Sequence, residues 1–118
     1  MLTIPKELKG KKAIPFMEWY ICYYNNYGGT MDVITDFYSQ PFQPEMLMEY
    51  FEGWKKDESL SNTYRYNQYD ITIDDDDKSI YYIYDNETYR CWEFKSLNDL
   101  ITLCTLAGVE LTWKGETE

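Results

Sequence analysis

The stretch YDITIDDDDKSIYYIY, residues 69–84, decides the fold class of the chain. Apolar and polar side chains alternate from Tyr69 to Asp74, which is the period of a β-strand that buries one face. The run Asp75-Asp76-Asp77-Lys78 supplies turn residues, and β-branched and aromatic residues continue from Ser79 to Tyr84. The pattern predicts an antiparallel β-hairpin.

The residues on either side extend this hairpin into a meander. Asp85-Asn86-Glu87 predicts a turn, and Thr88–Phe94 predicts a third strand after it. Thr63–Tyr66 predicts a short additional strand before the hairpin. We therefore expect an antiparallel meander of three to four strands.

A helix and a final strand are predicted after the meander. Ser96 followed by Asp99 is close to the capping-box pattern, and Gly108 supplies a stop at the C-terminal end of the helix. The core stripe of this helix consists of Leu97, Leu100, Ile101 and Cys104. Beyond it, apolar and polar residues alternate over Val109–Trp113, which predicts a last strand.

Three helices are predicted before the meander. The first begins at Pro15 and ends at Gly28-Gly29, with Phe16, Trp19, Tyr20, Tyr23 and Tyr27 at helical spacing. Thr30–Tyr38 predicts a short second helix with Thr30 as its cap. Pro44–Lys56 predicts a third helix with one apolar stripe, formed by Leu47, Tyr50, Phe51 and Trp54. The order of elements predicts a single α+β domain over residues 1–118.

The charge of the chain excludes several classes of function. Its 118 residues include 21 Asp and Glu against 11 Lys and Arg, which gives a net charge of −10. Residues 1–12 form a basic N-terminal segment with four Lys and one Glu, a net of +3, so residues 13–118 carry −13. Direct binding to nucleic acid or to an anionic membrane requires an excess of cations, and we expect neither.

The chain contains no histidine. This absence removes the commonest general base, the Ser-His and Cys-His nucleophile pairs and His-ligated metal sites. The tetra-Asp run is similar to the start of a calcium-binding EF-hand loop, but Lys78 and Ser79 stand where a third ligand and a glycine are required. We predict no catalytic residue, no metal site and no cofactor.

Three cysteines stand at Cys22, Cys91 and Cys104, with no Cys-x-x-Cys pair among them. An odd number without such a pair fits neither a disulfide framework nor a zinc site and indicates a reducing compartment. Because their neighbours are apolar, we expect each to be a small buried side chain. No stretch has the length and hydrophobicity of a signal peptide or a membrane span, so we expect a cytoplasmic protein.

Two rows of carboxylates are the strongest candidates for a binding surface. Alternate residues of a strand lie about 6.6 Å apart on one face, which would align Asp70, Asp74 and Asp76 with Thr72 between them. On the predicted third helix, Glu45, Glu49 and Glu52 would form one ridge with neighbours about 5 to 6 Å apart. Such spacings are comparable to those of successive phosphates in a nucleic-acid strand. The alternative is that both rows are ordinary solvated surface with no role in binding.

Tyrosines are expected beside these carboxylates. Period-two alternation cannot bury both Tyr81 and Tyr82, so some tyrosines must be exposed on the outer side of the sheet. Tyrosine next to carboxylates is typical of protein interfaces, and it is equally good β-sheet composition. The candidate binding residues are Asp70, Asp74, Asp75, Asp76, Asp77, Glu45, Glu49, Glu52, Tyr69 and Tyr82.

In general character the chain resembles the small acidic proteins of bacteriophages and mobile elements, including anti-restriction and anti-CRISPR inhibitors. The Asn-, Tyr- and Asp-rich stretch Asn62–Asn86 and the ending Phe94–Leu100 carry this resemblance, which covers the second half of the chain and includes no family motif. The resemblance implies a phage-encoded inhibitor that acts in the cytoplasm of a bacterial host.

The leading hypothesis is a non-enzymatic inhibitor that blocks a basic nucleic-acid-handling enzyme, such as a CRISPR effector or a nuclease, by nucleic-acid mimicry. One alternative is an immunity protein or antitoxin that neutralises a toxin nuclease. Others are a phage accessory protein without catalytic activity and a small enzyme that uses a buried carboxylate in a concave pocket. A homodimer formed through an exposed tyrosine face or the edge strand Val109–Trp113 is compatible with each of them.

Overall fold

Five antiparallel strands in chain order form one sheet in the second half of the chain. The computed structural model describes residues 1–23, 31–59, 63–74 and 76–115. The helices are α1 (Phe16–Tyr23), α2 (Met31–Tyr38), α3 (Met46–Tyr50) and α4 (Leu97–Ala107). The strands are β1 (Lys55–Lys56), β2 (Thr63–Tyr66), β3 (Tyr69–Ile73), β4 (Tyr81–Asp85) and β5 (Cys91–Phe94). This order confirms the predicted α+β class, with one strand more than expected.

The strand register divides the sheet into two faces. Ile71 lies opposite Tyr64 on one side and Ile83 on the other, and Ile83 lies opposite Trp92. This row belongs to the core face, whose other members include Tyr69, Tyr81 and Phe94. The alternate residues form the outer face, which consists of Thr63, Arg65, Asp70, Thr72, Tyr82, Tyr84, Cys91 and Glu93.

The predicted hairpin is confirmed as the pair β3 and β4. The backbone N–H of Asp74 donates to the carbonyl of Ile80 at 2.9 Å, which closes the ladder just beyond β3. The following turn links the last residue of β3, Ile73, to its partner Tyr81. Asp75 lies outside the described residues.

The predicted third helix is wrong over most of its length. It ends at Tyr50, because Phe51 adopts an extended backbone with φ −118° and ψ 149°. Phe51 forms an isolated β-bridge with Trp113, and the N–H of Glu52 donates to the carbonyl of Thr112 at 3.0 Å. The apolar stripe still marks the buried side chains, since Leu47, Tyr50, Phe51 and Trp54 are all in the core.

Gly53 makes the turn from α3 into β1. Its φ of +90° is a conformation that residues with a side chain rarely adopt, and a Cβ there would lie 2.6 Å from Cε2 of Tyr66. The Tyr66 ring is in turn stacked on Trp54, with ring centroids 5.4 Å apart. Lys55 and Lys56 then pair with β2 instead of continuing a helix.

The helices α1, α2 and α4 confirm the predictions in the part of the chain that is described. Tyr27, Gly28-Gly29 and the proposed cap Thr30 lie outside that part. The N–H of Asp99 donates to Oγ of Ser96 at 3.1 Å, and Gly108 ends α4 in the left-handed conformation with φ +80°. Cys104 is buried as expected, but Cys22 and Cys91 are exposed, so their predicted burial is wrong.

The C-terminal segment confirms the predicted alternation but not a regular strand. Val109, Leu111 and Trp113 are buried, while Glu110 and Thr112 between them are exposed. The segment forms isolated bridges, Lys12 with Thr112 and Phe51 with Trp113, rather than joining the five-stranded sheet. It therefore ties the N-terminal segment to the end of α3.

Gly53→Ala is expected to destabilise the fold beyond the cost of its backbone conformation. Forcing alanine to a positive φ costs about 1 kcal/mol, and the clash with Tyr66 adds the loss of its stacking on Trp54. The matched control is Gly10→Ala, because Gly10 has φ +73° and no atom within 4 Å of an added Cβ. Urea unfolding would measure both variants, and equal losses in the two would contradict the steric argument.

Candidate protein-binding surface

The outer face carries tyrosines and charged side chains that are not part of the core. Tyr82 and Tyr84 are half-buried on β4, which lies between β3 and β5. Glu93 lies directly opposite Tyr82 on β5 and is exposed. Asp70 and Asp74 are also half-buried on this side of the sheet. Tyr82 and Tyr84 lie on the outer side of the sheet as predicted, but each is half-buried and not exposed.

Asp70 belongs to an ion-pair network with Arg65. Nε of Arg65 lies 2.7 Å from Oδ1 of Asp70 and its Nη2 lies 3.3 Å from Oδ2, which is the bidentate geometry that guanidinium favours. Nη2 also lies 3.2 Å from Oδ2 of Asp57. The hydrogen bond to Asp70 raises the pKa of Arg65. The charge of Asp70 is therefore compensated within the protein.

Asp74 positions both the turn and Tyr82. Its Oδ2 accepts the N–H groups of Asp76 at 3.2 Å and Asp77 at 2.8 Å, and its Oδ1 accepts the hydroxyl of Tyr82 at 3.1 Å. The hydrogen bond to the Asp74 carboxylate raises the pKa of Tyr82. The tyrosine ring is thereby fixed on the outer face beside the acidic turn.

Asp77 also has a structural role in the turn, whereas Asp76 does not. Oδ1 of Asp77 accepts the Ser79 hydroxyl at 2.6 Å and the Ser79 N–H at 2.9 Å. These two hydrogen bonds hold the pKa of Asp77 below its usual value. The side chain of Asp76 is exposed and forms no hydrogen bond or salt bridge within the described ranges. Among the turn carboxylates that the structure describes, Asp76 is thus the one most available to a partner.

Tyr69 lies away from the other candidate residues, on the core face opposite Asp85. It is only 7% exposed, and burial raises the pKa of its hydroxyl. The register explains this position, because Tyr69 shares the face of Ile71, whereas Asp70 shares the face of Thr72. Tyr84 lies on the outer face opposite Asp70. It was not among the candidate binding residues predicted from the sequence.

The three glutamates do not form one helical ridge. Glu45 is the N-cap of α3 and Glu49 lies within it, but Glu52 follows the end of the helix at Tyr50. Glu45 is close enough to Tyr64 and Tyr81 for its charge to contribute, after burial, to their raised pKa values. Since Tyr81 pairs with Ile73, Glu45 lies toward the hairpin end of the sheet. Glu49 lines a different cavity of about 500 Å³ together with Lys9 and Lys114.

Asp85 is the buried carboxylate that an enzymatic hypothesis would invoke. It is 6% exposed and borders a cleft of about 450 Å³ between the core face and α4, which is also lined by Trp92 and Leu103. Burial raises its pKa, but the N–H groups of Glu87 at 2.8 Å and Thr88 at 3.3 Å outweigh burial, and the net pKa is lowered. A general acid at neutral pH needs the opposite shift, so Asp85 acts as the cap of its turn.

Comparisons with protein-family models, with curated proteins and with solved structures find no match for this chain. Within the described ranges, no group of three or more cysteines and carboxylates is arranged to hold a metal ion. No helix of the described part is long and apolar enough to cross a bilayer.

The ionised Asp77 carboxylate is expected to stabilise the turn in a pH-dependent way. Because its folded pKa is lower than the usual 3.8, its contribution is present above about pH 4 and is lost as the pH falls through the lowered value. Asp77→Asn should therefore be less stable than Asp76→Asn at pH 7, and the two should converge once the pH has fallen below the lowered pKa of Asp77.

Asp76→Asn is the matched control because it removes the same charge from the same turn without removing a hydrogen bond. Thermal unfolding of both variants between neutral and acidic pH measures the difference. A gap that stays constant across this range would show that the hydrogen bonds of Asp77 do not depend on its charge.

Proposed function

We propose that this protein is a non-enzymatic binding protein that occupies a basic surface of a nucleic-acid-handling enzyme and blocks it. The contact surface is the outer face around Tyr82 and Tyr84, together with the hairpin turn at Asp76. One juxtaposition carries the proposal: the half-buried Tyr82 is hydrogen-bonded to Asp74, whose carboxylate also accepts the backbone N–H of Asp76, and the side chain of Asp76 has no partner within the described protein.

The net negative charge of the chain acts over a distance. A net charge of −10 on 118 residues gives a long-range field that accelerates encounter with a basic surface and repels nucleic acid. Because Arg65 compensates Asp70, the available negative charge of the β3 row concentrates at the turn. Glu93 adds a carboxylate on the outer face directly opposite Tyr82, whereas Glu45 lies near the core-face residues Tyr64 and Tyr81 and does not contribute to this surface.

The tyrosines supply the short-range part of the interaction. A tyrosine ring buries a large area with little loss of side-chain entropy, and tyrosines are enriched among residues that dominate binding energy. Tyr82 is already ordered by Asp74, so binding would cost even less entropy. Aromatic faces also attract Lys and Arg side chains through cation–π contacts, which suits a basic partner.

Removing the turn charges is expected to weaken this interaction about tenfold and to flatten its salt dependence. The variant is Asp76→Asn with Asp77→Asn, and Asp77→Asn alone is measured beside it, so that disturbance of the Ser79 hydrogen bonds is separated from loss of the Asp76 charge. The matched control is Asp32→Asn with Asp36→Asn, since both residues are exposed on α2 and carry the same total charge. Immobilised protein would be challenged with bacterial lysate, followed by stepped salt elution, mass spectrometry and nuclease assays.

Excess DNA is the competitor that separates the hypotheses. Displacement of a retained nucleic-acid enzyme by DNA supports occupation of its nucleic-acid site, whereas a retained toxin nuclease that ignores DNA favours an immunity role. Equal weakening by both double variants would mean that only total charge matters. No weakening by the hairpin variant would refute the proposed surface.

A further inference from the structure

Strand β5 lies at one edge of the sheet, and its outward backbone groups can be assigned from the register. The N–H of Asp85 donates to the carbonyl of Arg90 at 2.8 Å, in the same register as the β4–β5 pairs. In an antiparallel ladder, alternate residues direct both their N–H and C=O groups toward one neighbouring strand. Trp92 therefore bonds toward β4, whereas the backbone groups of Cys91 and Glu93 point away from β4, toward the open edge.

The chain itself pairs with the next part of this edge. The N–H of Phe42 donates to the carbonyl of Lys95 at 2.9 Å. The N–H of Leu97 donates to the carbonyl of Gln40 at 3.1 Å, and an antiparallel bridge lies between these two bonds. This pairing stops before β5. In the described ranges, nothing bonds to the outward N–H and C=O groups of the two edge residues of β5.

An apolar cleft lies on the core face beside this free edge. It is the cleft of about 450 Å³ that β5 and α4 line together. Trp92 and Leu103 are only half-buried in its walls, and Leu106 is 80% exposed. On an added strand, the residue opposite Trp92 would have its side chain on the same face as Trp92. An apolar side chain at that position would cover these exposed apolar groups.

Glu93 sets the charge preference on the outer face. It is exposed and forms no salt bridge within the described ranges. The residue opposite Glu93 on an added strand would lie on the same face, where a Lys or Arg would form a favourable cross-strand pair. Lys95 lies further along the edge, where its charge acts on Asp77: after the Ser79 hydrogen bonds, it helps to lower the pKa of that carboxyl.

We infer that the free edge of β5 binds an extended segment of the basic partner as an additional antiparallel strand. The segment places Lys or Arg opposite Glu93 and an apolar residue opposite Trp92. Strand addition is a common mode of peptide recognition, in which backbone hydrogen bonds give affinity and alternate side chains give specificity. Because Glu93 lies opposite Tyr82 of the proposed contact surface, the inference rests on the proposed function and specifies what the partner supplies.

The charge of the chain favours this occupant over two others. The opposite edge of the sheet, β1, consists of Lys55 and Lys56, which repel a basic segment and discourage strand addition. A second copy of this chain would bring another net charge of −10 to the same edge. An antiparallel orientation matches the one that the chain adopts at its own bridge between Pro41 and Ser96.

Nuclear magnetic resonance titration of the ¹⁵N-labelled full-length chain with a synthetic peptide tests this inference. The probe is a short, acetylated and amidated peptide in which Lys and Val alternate, and its charge-reversed control has Glu in place of Lys. The expected result is a saturable shift and slower hydrogen exchange at the Cys91 and Glu93 amides with the Lys peptide only. Shifts confined to the hairpin turn, or equal binding of both peptides, would overturn the inference.

N-methylated peptides separate strand addition from general charge attraction. In the antiparallel arrangement, the lysines opposite Cys91 and Glu93 direct their backbone N–H groups toward β5, and the valines direct theirs away. Methylating the backbone nitrogens of the lysines should weaken binding at least about tenfold, because hydrogen bonds to β5 are lost. Methylating an equal number of valine nitrogens leaves the charge and these bonds intact. Equal weakening by the two modifications would overturn the inference.

A proline variant tests the same edge from the side of the protein. Cys91→Pro removes an outward N–H and no hydrogen bond to β4, and proline is tolerated at such edge positions. It should weaken peptide binding about tenfold, whereas Cys91→Val, which keeps the N–H, should not. Far-UV circular dichroism would verify that both variants fold. Equal affinities of the folded variants would contradict strand addition.

The outcomes distinguish this inference from the proposed function. If the peptide does not bind while a basic enzyme is retained from lysate, only the inference fails. If the peptide binds at the edge but no basic enzyme is retained, strand addition is supported and the proposed function fails. Shifts of the Cys91 and Glu93 amides that depend on protein concentration without peptide would assign the edge to a second copy and overturn the inference.

Discussion

The packing of Trp113 is the constraint on which the rest of the structure depends. Its indole is fully buried and stacks on Phe51 at 4.8 Å, with Phe37, Tyr38 and Tyr50 around it at 5.4 to 6.3 Å. Its backbone N–H donates to the carbonyl of Lys11 at 2.9 Å, and its carbonyl accepts the N–H of Gly10 at 3.1 Å. One residue near the C-terminal end of the described chain therefore joins the N-terminal segment, α2 and α3. The buried indole Nε1 has no hydrogen-bond partner, so ring packing must outweigh that cost.

This arrangement explains why polar and charged side chains collect on the outer face of the sheet. Aromatic residues pack against the core face of the sheet. The ring centroid of Phe42, for example, lies 4.8 Å from that of Tyr81 and 4.9 Å from that of Phe94. The alternate side chains of the same strands are then free to be polar. Because β3, β4 and β5 are paired in register, Asp74, Tyr82 and Glu93 are brought together from three successive segments of the chain. The sheet sets the backbone positions of that surface, and the hydrogen bond to Asp74 fixes the Tyr82 side chain on it.

The sequence predicted what depends on local periodicity and failed where tertiary contacts override it. The hairpin and α4 carry their own signals, in the alternation of 69–74 and in the Ser96 and Gly108 caps, and both are confirmed. The stripe Leu47, Tyr50, Phe51 and Trp54 correctly marked burial, but burial at helical spacing does not require a helix. The β-bridge between Phe51 and Trp113 requires an extended backbone at Phe51. Local sequence patterns cannot predict a bridge to a residue 62 positions away in the chain (113 − 51). The same limit applies to the site: the pairing of Asp70 with Arg65, and the position of Tyr69 in the core, depend on strand register.

The carboxylates of this chain are therefore not equivalent, and composition alone overstates the charge that is available for binding. Asp74, Asp77 and Asp85 accept backbone N–H groups in turns, and Asp70 is paired with Arg65. Such residues would be required in a plain scaffold, so their presence says little about function. The side chain of Asp76 accepts no hydrogen bond in the turn and has no ion-pair partner in the described residues, so the structure does not require its charge. The binding hypothesis therefore depends on the tip of the hairpin, where the Asp76 carboxylate has no structural role. The continuous row of carboxylates that strand spacing suggested does not support it, because Asp70 and Asp74 have structural partners.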